Sequence, residues 1–211
     1  MRSYGQYCAA ARALDVVGDR WNLLIIRELL LQGDCRYTDL LNGLPGIATN
    51  LLADRLRDLE EADVIYREQA PPPVATTLFR LTPRGRELEP VLLELIRWGA
   101  GLMAEPVDGE AFRSHWLAAP VRLYLEDRDP DQPATTIELR PDDQEPLTVQ
   151  AGQGGVATHP GSVEQPDLRL AGTPQLILGL VTSALDLEEA RARGLRCEGD
   201  VAALRRLQPE A

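Results

Sequence analysis

The sequence predicts an α+β fold in two parts, an N-terminal winged helix-turn-helix followed by a mixed α/β domain. Three observations carry this. Residues 36–82 read as two short helices around a sharp turn, then two strands around a Pro-rich tip. Thr82-Pro83 is a strong helix start, with Thr as N-cap and Pro at the first helical position, and an apolar helix follows. Glu105-Pro106-Val107-Asp108-Gly109-Glu110 then changes the composition and reads as a linker, beyond which short strands and helices mix. The domain boundaries this suggests are 1–105 and 110–211.

In the first part, Tyr37 to Asn42 is the first short helix. Gly43-Leu44-Pro45-Gly46 turns the chain, because glycine allows positive φ and proline blocks continuation of a helix. Thr49 to Ala62 is the second helix, with Leu52, Leu56 and Leu59 on one stripe. At ~100° per residue, Asn50, Ala53, Asp54 and Arg57 fall on the opposite side. An amphipathic helix held by a short partner, polar face outward, is the device that reads the major groove of DNA. Val64 to Glu68 and Thr77 to Leu81 are β-branched and aromatic enough for paired strands. The loop between them, Ala70 to Thr76, holds three prolines that cannot join a ladder.

Two helices precede this core. Cys8 to Val17 is apolar on most sides and needs two partners, Gly18-Asp19-Arg20 breaks it, and Trp21 to Leu31 follows. The helix opened by Thr82-Pro83 carries Leu88, Val91, Leu92, Leu95, Ile96, Trp98, Leu102 and Met103, more apolar surface than one small domain can cover. With the apolar first helix it suggests a homodimer interface; the alternative is that both helices close the core of one protomer. In the second part, Thr135 to Leu139, Leu147 to Ala151, Val156 to His159 and Leu168 to Ala171 are strand-like. Thr173 to Ser183 is an apolar helix, Leu187 to Arg193 a second ended by Gly194, Leu195 to Glu198 a further strand, and Val201 to Leu207 a last helix.

Composition bounds the function. A hydrophobic share of 44% and a charged share of 26% are those of an ordinary globular protein. The N-terminus has no apolar run of signal-peptide type, and the apolar stretches at Leu23 to Ile26 and Leu176 to Val181 are too short to span a bilayer, so no membrane partner is expected. Three widely spaced cysteines argue for a cytoplasmic protein without a disulfide framework or thiolate metal site. The net charge of −11 opposes phosphate binding, but it is unevenly placed. Residues 1–105 carry 12 arginines against 15 acids, and residues 106–211 carry 10 against 18, so the acidity lies mainly in the second half.

A family resemblance rests on particular residues. Cys8, Arg12-Ala13-Leu14-Asp15-Val16-Val17-Gly18-Asp19-Arg20-Trp21 and Leu24-Ile25-Ile26-Arg27-Glu28-Leu29 resemble the opening of the HxlR family of bacterial transcription regulators. Leu44-Pro45-Gly46-Ile47, Leu52 to Glu60 and Leu81-Thr82-Pro83-Arg84-Gly85 continue it in order, over about residues 5–103. The resemblance implies a winged-helix dimer joined through its first and last helices and acting in the cytoplasm. Family members often have Ser opening the recognition helix where this chain has Ala48, and Thr49 stands to take over that cap. Residues 110–208 look like a sterol-carrier-protein-type domain, on Asp167-Leu168-Arg169-Leu170, Leu178-Gly179-Leu180 and Gly194 to Asp200. That resemblance implies a curved sheet covered by helices and a tunnel for a lipid-like ligand.

The candidate DNA-binding residues are Arg36, Thr49, Asn50, Ala53, Asp54, Arg57, Arg67 and Arg80. Asn pairs bidentately with adenine and Arg with guanine. Thr49, at the helix start, suits a phosphate, as does Arg36. Asp54 would repel phosphate, so it either accepts from a cytosine amino group or pairs with Arg57 or Arg55. Arg67 and Arg80 are wing candidates that strand alternation can turn either way. For an apolar ligand the candidate walls are Ile137, Leu139, Leu147, Val149, Leu176, Ile177, Leu180 and Val181; a fully packed core is the competing reading. Cys8 is a candidate redox residue by analogy with regulators of this family, but its neighbours Tyr7, Ala9, Ala10 and Ala11 supply no positive charge, which favours a small buried hydrophobe.

Gly152-Gln153-Gly154-Gly155-Val156-Ala157 matches a loose dinucleotide pattern, yet a strand and turn follow where a helix is required, so a hairpin connection is expected. Two histidines, and four serines with none in G-x-S-x-G, supply no catalytic or metal constellation; neither enzyme activity nor a cofactor is expected. The expectation is a homodimeric DNA-binding transcription regulator whose operator affinity responds to an apolar small molecule in the C-terminal domain. The alternative is a carrier or interaction protein in which the winged helix serves pairing alone.

Overall fold

The computed structural model describes residues 3–71, 76–103 and 109–208. The chain divides into two units, Met1–Trp98 and Gly99–Ala211, each with its own apolar core.

The first unit runs α1 (Ala9–Val17), α2 (Asn22–Gln32), β1 (Cys35–Arg36), α3 (Tyr37–Gly43), α4 (Thr49–Glu61), β2 (Ile65–Gln69), β3 (Thr77–Leu81), α5 (Pro83–Arg86) and α6 (Glu89–Ala100). Its three strands lie antiparallel in the order β1-β3-β2, with Ile65 opposite Leu81 and Gln69 opposite Thr77. Ile25, Ile26 and Leu29 of α2 meet Leu40 of α3, the α4 leucines and Ile65 and Leu81 of the sheet. This is a winged helix-turn-helix. At the turn, Gly46 adopts φ +87°, which only glycine takes without strain. A Cβ at Gly43 would lie 2.1 Å from the carboxylate of the buried Glu28, so α3 can approach α2 only with glycine there.

Two features depart from the expected pattern. Strand β1 is only two residues long, too short for alternation to reveal. The single helix expected beyond Thr82 is two helices, because Pro90 lacks the N–H that would bond the Arg86 carbonyl and its ring would clash there. The Leu88 N–H reaches back to Gly85 at 3.2 Å instead, and α6 restarts with Pro90 in its first turn, where no donor is needed. In the wing loop, residues 72–75, which include two of its prolines, lie outside the described residues.

The second unit runs a 3₁₀ turn (Ser114–Leu117), α7 (Ala118–Tyr124), β4 (Thr135–Pro141), β5 (Leu147–Gly152), β6 (Gly155–Pro160), β7 (Leu168–Gly172), α8 (Pro174–Val181), α9 (Leu187–Ala192), β8 (Arg196–Gly199) and α10 (Ala202–Leu207). The sheet order is β6-β5-β4-β7-β8, with β4 and β7 parallel and every other pair antiparallel. Gly152 faces Gly155 across a two-residue turn, so the glycine-rich run is a hairpin. Thr173 caps α8, accepting from the Leu176 N–H, and Asp186 caps α9, accepting from the Glu189 N–H at 2.7 Å.

Strand alternation sorts the two faces of this sheet. One carries Ile137, Leu139, Leu147, Val149, Leu168 and Leu170 into a core shared with Val121 of α7, Ile177 and Leu180 of α8 and Leu204 and Leu207 of α10. The other carries Glu138, opposite Thr148 on one side and Arg169 on the other. Its side chain is fully buried, ion-paired with Arg140 and with Arg169 at 2.8 Å, and accepts the Val163 N–H at 3.1 Å.

Candidate nucleic-acid interface

Helix α4 separates its faces sharply. Leu52, Leu56 and Leu59 are at most 4% exposed, whereas Thr49, Asn50, Ala53, Asp54 and Arg57 are all exposed. The helix is anchored at its start, where the Tyr37 hydroxyl donates to the Thr49 carbonyl at 2.6 Å. Thr49 does not take over the cap: Ala48 is the N-cap residue, and no side chain satisfies the first backbone N–H groups. Those groups and the positive end of the helix dipole suit a phosphate oxygen.

The arginines differ in what holds them. Arg36 is exposed at the N-cap of α3, where its own N–H donates to the Asp39 carboxylate at 2.8 Å. Arg57 lies 3.2 Å from Asp54, one turn back on the same exposed face. Arg55 is turned away from that face, paired with Asp19 and, at 2.8 Å, with Asp58. In the wing, Arg67 faces Phe79 and Arg80 faces Tyr66, so the two arginines point to opposite faces of the sheet. Arg67 reaches Glu60 of α4 at 3.0 Å. Arg80 bridges Asp34 at 2.6 Å and Glu68 at 2.9 Å, and these acids with the Tyr66 hydroxyl hold its pKa above the ordinary arginine value, the hydroxyl contributing most. Both wing arginines are therefore engaged with carboxylates, which a phosphate would have to displace. Tyr37, absent from the sequence-based set, anchors the start of α4 through a hydrogen bond to backbone that no residue pattern announces.

The cysteines reverse the sequence expectation at one position. Cys8 is exposed, not a buried hydrophobe, because it is the N-cap of α1 and its thiol faces the Ala11 and Ala10 N–H groups, which lower its pKa. Cys35, in β1, turns its thiol into the core; burial, then Asp39, Glu28 and Asp34, push that thiol up to about 12.

The eight candidate ligand-wall residues are brought together, but as core. Ile137, Leu139, Leu147, Val149, Leu176, Ile177, Leu180 and Val181 are each at most 8% exposed and belong to one packed cluster. The apolar sheet face and the α8 stripe meet directly, so these side chains contact one another. A concavity of about 280 Å³ lies elsewhere, where Arg122, Leu125 and Asp127 at the end of α7 approach Gln153 and Val156 of the β5–β6 hairpin. None of the eight lines it. Among the described residues no three His, Cys, Asp or Glu side chains are grouped to hold a metal, and no helix is long and apolar enough to cross a membrane.

Comparison with known proteins places the first unit. Residues 16–106 match the family profile described as HxlR-like helix-turn-helix. An uncharacterised HTH-type transcriptional regulator of Synechocystis sp. is 36% identical over 96 residues, 46% of this chain and 70% of that protein. The HTH-type transcriptional regulator YodB of Bacillus subtilis is 33% identical over 96 residues, 46% of this chain and 84% of YodB. The crystal structure of PA1607 is 37% identical, covers 52% of this chain and 74% of its own, and superposes with a TM-score of 0.45.

Proposed function

The chain belongs to the HxlR family, and from that premise we propose that it is a homodimeric transcriptional regulator that binds double-stranded DNA through α4. The observation that supports this most is the polar stripe Thr49, Asn50, Ala53, Asp54 and Arg57, exposed on a helix whose opposite face is fully buried. Asn50 and Arg57 are the base readers, and Ala53 between them lets the helix approach closely and suits a thymine methyl. Thr49 and Arg36 hold phosphates, and Arg67 and Arg80 serve the wing once their carboxylate partners yield. Relatives named as HTH-type transcriptional regulators support the same reading.

Pairing is supported by apolar side chains that the protomer leaves uncovered. On α1 and just before it these are Leu14 and Tyr7; on α6 they are Val91, Leu95 and Trp98, the last 71% exposed. A two-fold dimer buries them and sets two recognition helices against successive major grooves.

The finer proposal concerns the second unit, whose sheet covered by helices agrees with a sterol-carrier-like domain. There the effector is an apolar small molecule seated in the concavity between α7 and the β5–β6 hairpin. About 280 Å³ lies just below the range of about 300–1,000 Å³ usual for small-molecule sites. An effector that favours one DNA-affinity state has its own affinity changed reciprocally by DNA.

Titration of the full chain against duplex at several salt concentrations tests the central claim, and calorimetry with fatty acids, with and without duplex, tests the finer one. Binding that falls steeply with salt is expected. A chain that pairs but binds no duplex would favour the carrier or interaction reading.

A further inference from the structure

The acid at the centre of the DNA-facing stripe requires an explanation. Asp54 and Arg57 are 53% and 63% exposed, and ion pairs so exposed add little to stability. A carboxylate at that place also repels every phosphate of every duplex. The other arginine–acid pairs on this part of the fold sit to the side of the stripe: Arg55 with Asp19 and Asp58, Arg67 with Glu60, Arg80 with Asp34 and Glu68. Asp54 alone lies within it, with Asn50 one turn before, Ala53 beside it and Arg57 one turn after.

The geometry assigns Asp54 a positioning role: it holds Arg57 so that the arginine reads one guanine, and it penalises duplexes that lack that guanine. This rests on the DNA-binding reading above and names what sets its selectivity. The Asp54 carboxylate accepts a hydrogen bond from one terminal nitrogen, Nη1, of Arg57. The edge formed by Nε and Nη2 stays intact, and that edge is a two-proton fork matching guanine O6 and N7. Arg57 free of its partner would swing to the nearest phosphate, gaining affinity that carries no sequence information. With the partner in place, leaving the carboxylate for a phosphate means exposing Asp54 to the same backbone. Selectivity is then achieved partly by repulsion, at a cost in overall affinity.

The test uses the full-length protein and duplexes enriched by the wild type from a random pool, with each base pair of the enriched site then varied in turn. Asp54→Ala, Asp54→Glu and Arg57→Ala are compared with the wild type. Arg57→Ala is expected to flatten the preference at one G·C pair by about tenfold. Asp54→Ala is expected to flatten the preference at that same pair and leave the others standing. It should bind scrambled duplex several-fold more tightly, with a salt dependence steeper by about one counterion. Asp54→Glu, which can still pair one turn away, should restore most of the preference. A merely structural role for Asp54 would weaken binding to all duplexes alike and leave the base profile unchanged. Asp54→Ala retaining the wild-type profile, or losing preference at a different base pair from Arg57→Ala, would overturn the assignment. Failure of the wild type to enrich any sequence would instead overturn the DNA-binding reading, and this assignment with it.

Discussion

The Tyr37 hydroxyl donates to the Thr49 carbonyl at 2.6 Å, joining the first residue of α3 to the first residue of α4 across the helix-turn-helix corner. The Tyr37 ring packs against the apolar core of the unit, so the bond transmits the position of the core to the start of the recognition helix. A phenol has one proton to give. Having given it to Thr49, Tyr37 has none left to donate elsewhere, and it fixes where α4 begins.

Tyr37→Phe removes that bond and keeps the ring. The variant should fold normally and bind its selected duplex several-fold more weakly, in line with about 0.5–1.5 kcal/mol for one hydrogen bond. The slope of log affinity against log salt should not change, since no phosphate contact is lost. Fluorescence anisotropy at four or five salt concentrations separates these quantities, and a shallower slope would mean that Tyr37 contacts the backbone after all.

Arg57→Ala should weaken specific binding by about 1–3 kcal/mol and leave the fold intact, because the side chain is 63% exposed. The comparison is between selected and scrambled duplex. Equal losses on both would make Arg57 a phosphate contact, and no loss on either would remove it from the interface.

Leu95→Asp on α6 should disperse the dimer. Leu95 lies one turn from the uncovered Val91 and Trp98, and a carboxylate in the middle of an apolar interface costs about 2 kcal/mol or more. Sedimentation equilibrium at micromolar concentration should show dimer for the wild type and monomer for the variant. The paired wild type should protect two half-sites about 34–36 Å apart. A monomeric wild type would contradict both expectations.

Glu138 ties the stability of the second unit to pH. Burial on its own would raise the carboxyl's pKa, but Arg169, Arg140 and the Val163 N–H outweigh it and hold the group below its ordinary value. A depressed carboxyl contributes stability above its unfolded pKa of about 4.3, and that contribution is lost as pH falls through the lower folded value. Urea unfolding should therefore show the wild type losing stability below about pH 4.3. Glu138→Gln should be less stable at neutral pH by about 1.5–3 kcal/mol and flatter in acid. Parallel acid profiles for the two proteins would rule out this origin.

The thiols of Cys8 and Cys35 should differ in reactivity. At mildly alkaline pH iodoacetamide should modify the exposed Cys8, whose pKa is lowered by the start of α1, well before Cys35, whose thiol is buried and pushed up to about 12. Peptide mass mapping over time gives the order, and Cys35 should react only once the first unit is unfolded. Early labelling of Cys35 would show that the sheet opens in the native state.

The parts of this molecule legible in the sequence are those governed by near neighbours along the chain. The α4 stripe follows from a 3.6-residue period, and structure and sequence agree on which face of that helix is bare. Strands β4 to β7 and helices α8 to α10 fall within a residue or two of the stretches their composition marks, because alternation, Thr and Asp caps and glycine stops are local devices. The kink between α5 and α6 was also written locally, in Pro90, and it was masked by the strength of the apolar pattern running through it. The uncharged neighbours of Cys8 suggest a small buried hydrophobe, whereas the fold leaves it exposed at the N-cap of α1.

The sequence by itself determined the winged helix-turn-helix, most strands and helices of the second unit and the side of α4 turned to solvent, since each depends on residues at most a few positions apart. Only the tertiary structure decided which charges are free and which apolar surfaces are covered. Arg80 finds Asp34 from 46 residues away, Arg55 finds Asp19 from 36, and Glu138 finds Arg169 from 31. Whether the Ile137 face and the α8 stripe enclose a tunnel or fill one another depends on how far apart two layers come to rest. That spacing is set by the summed volumes of side chains from many elements, and no local pattern carries it.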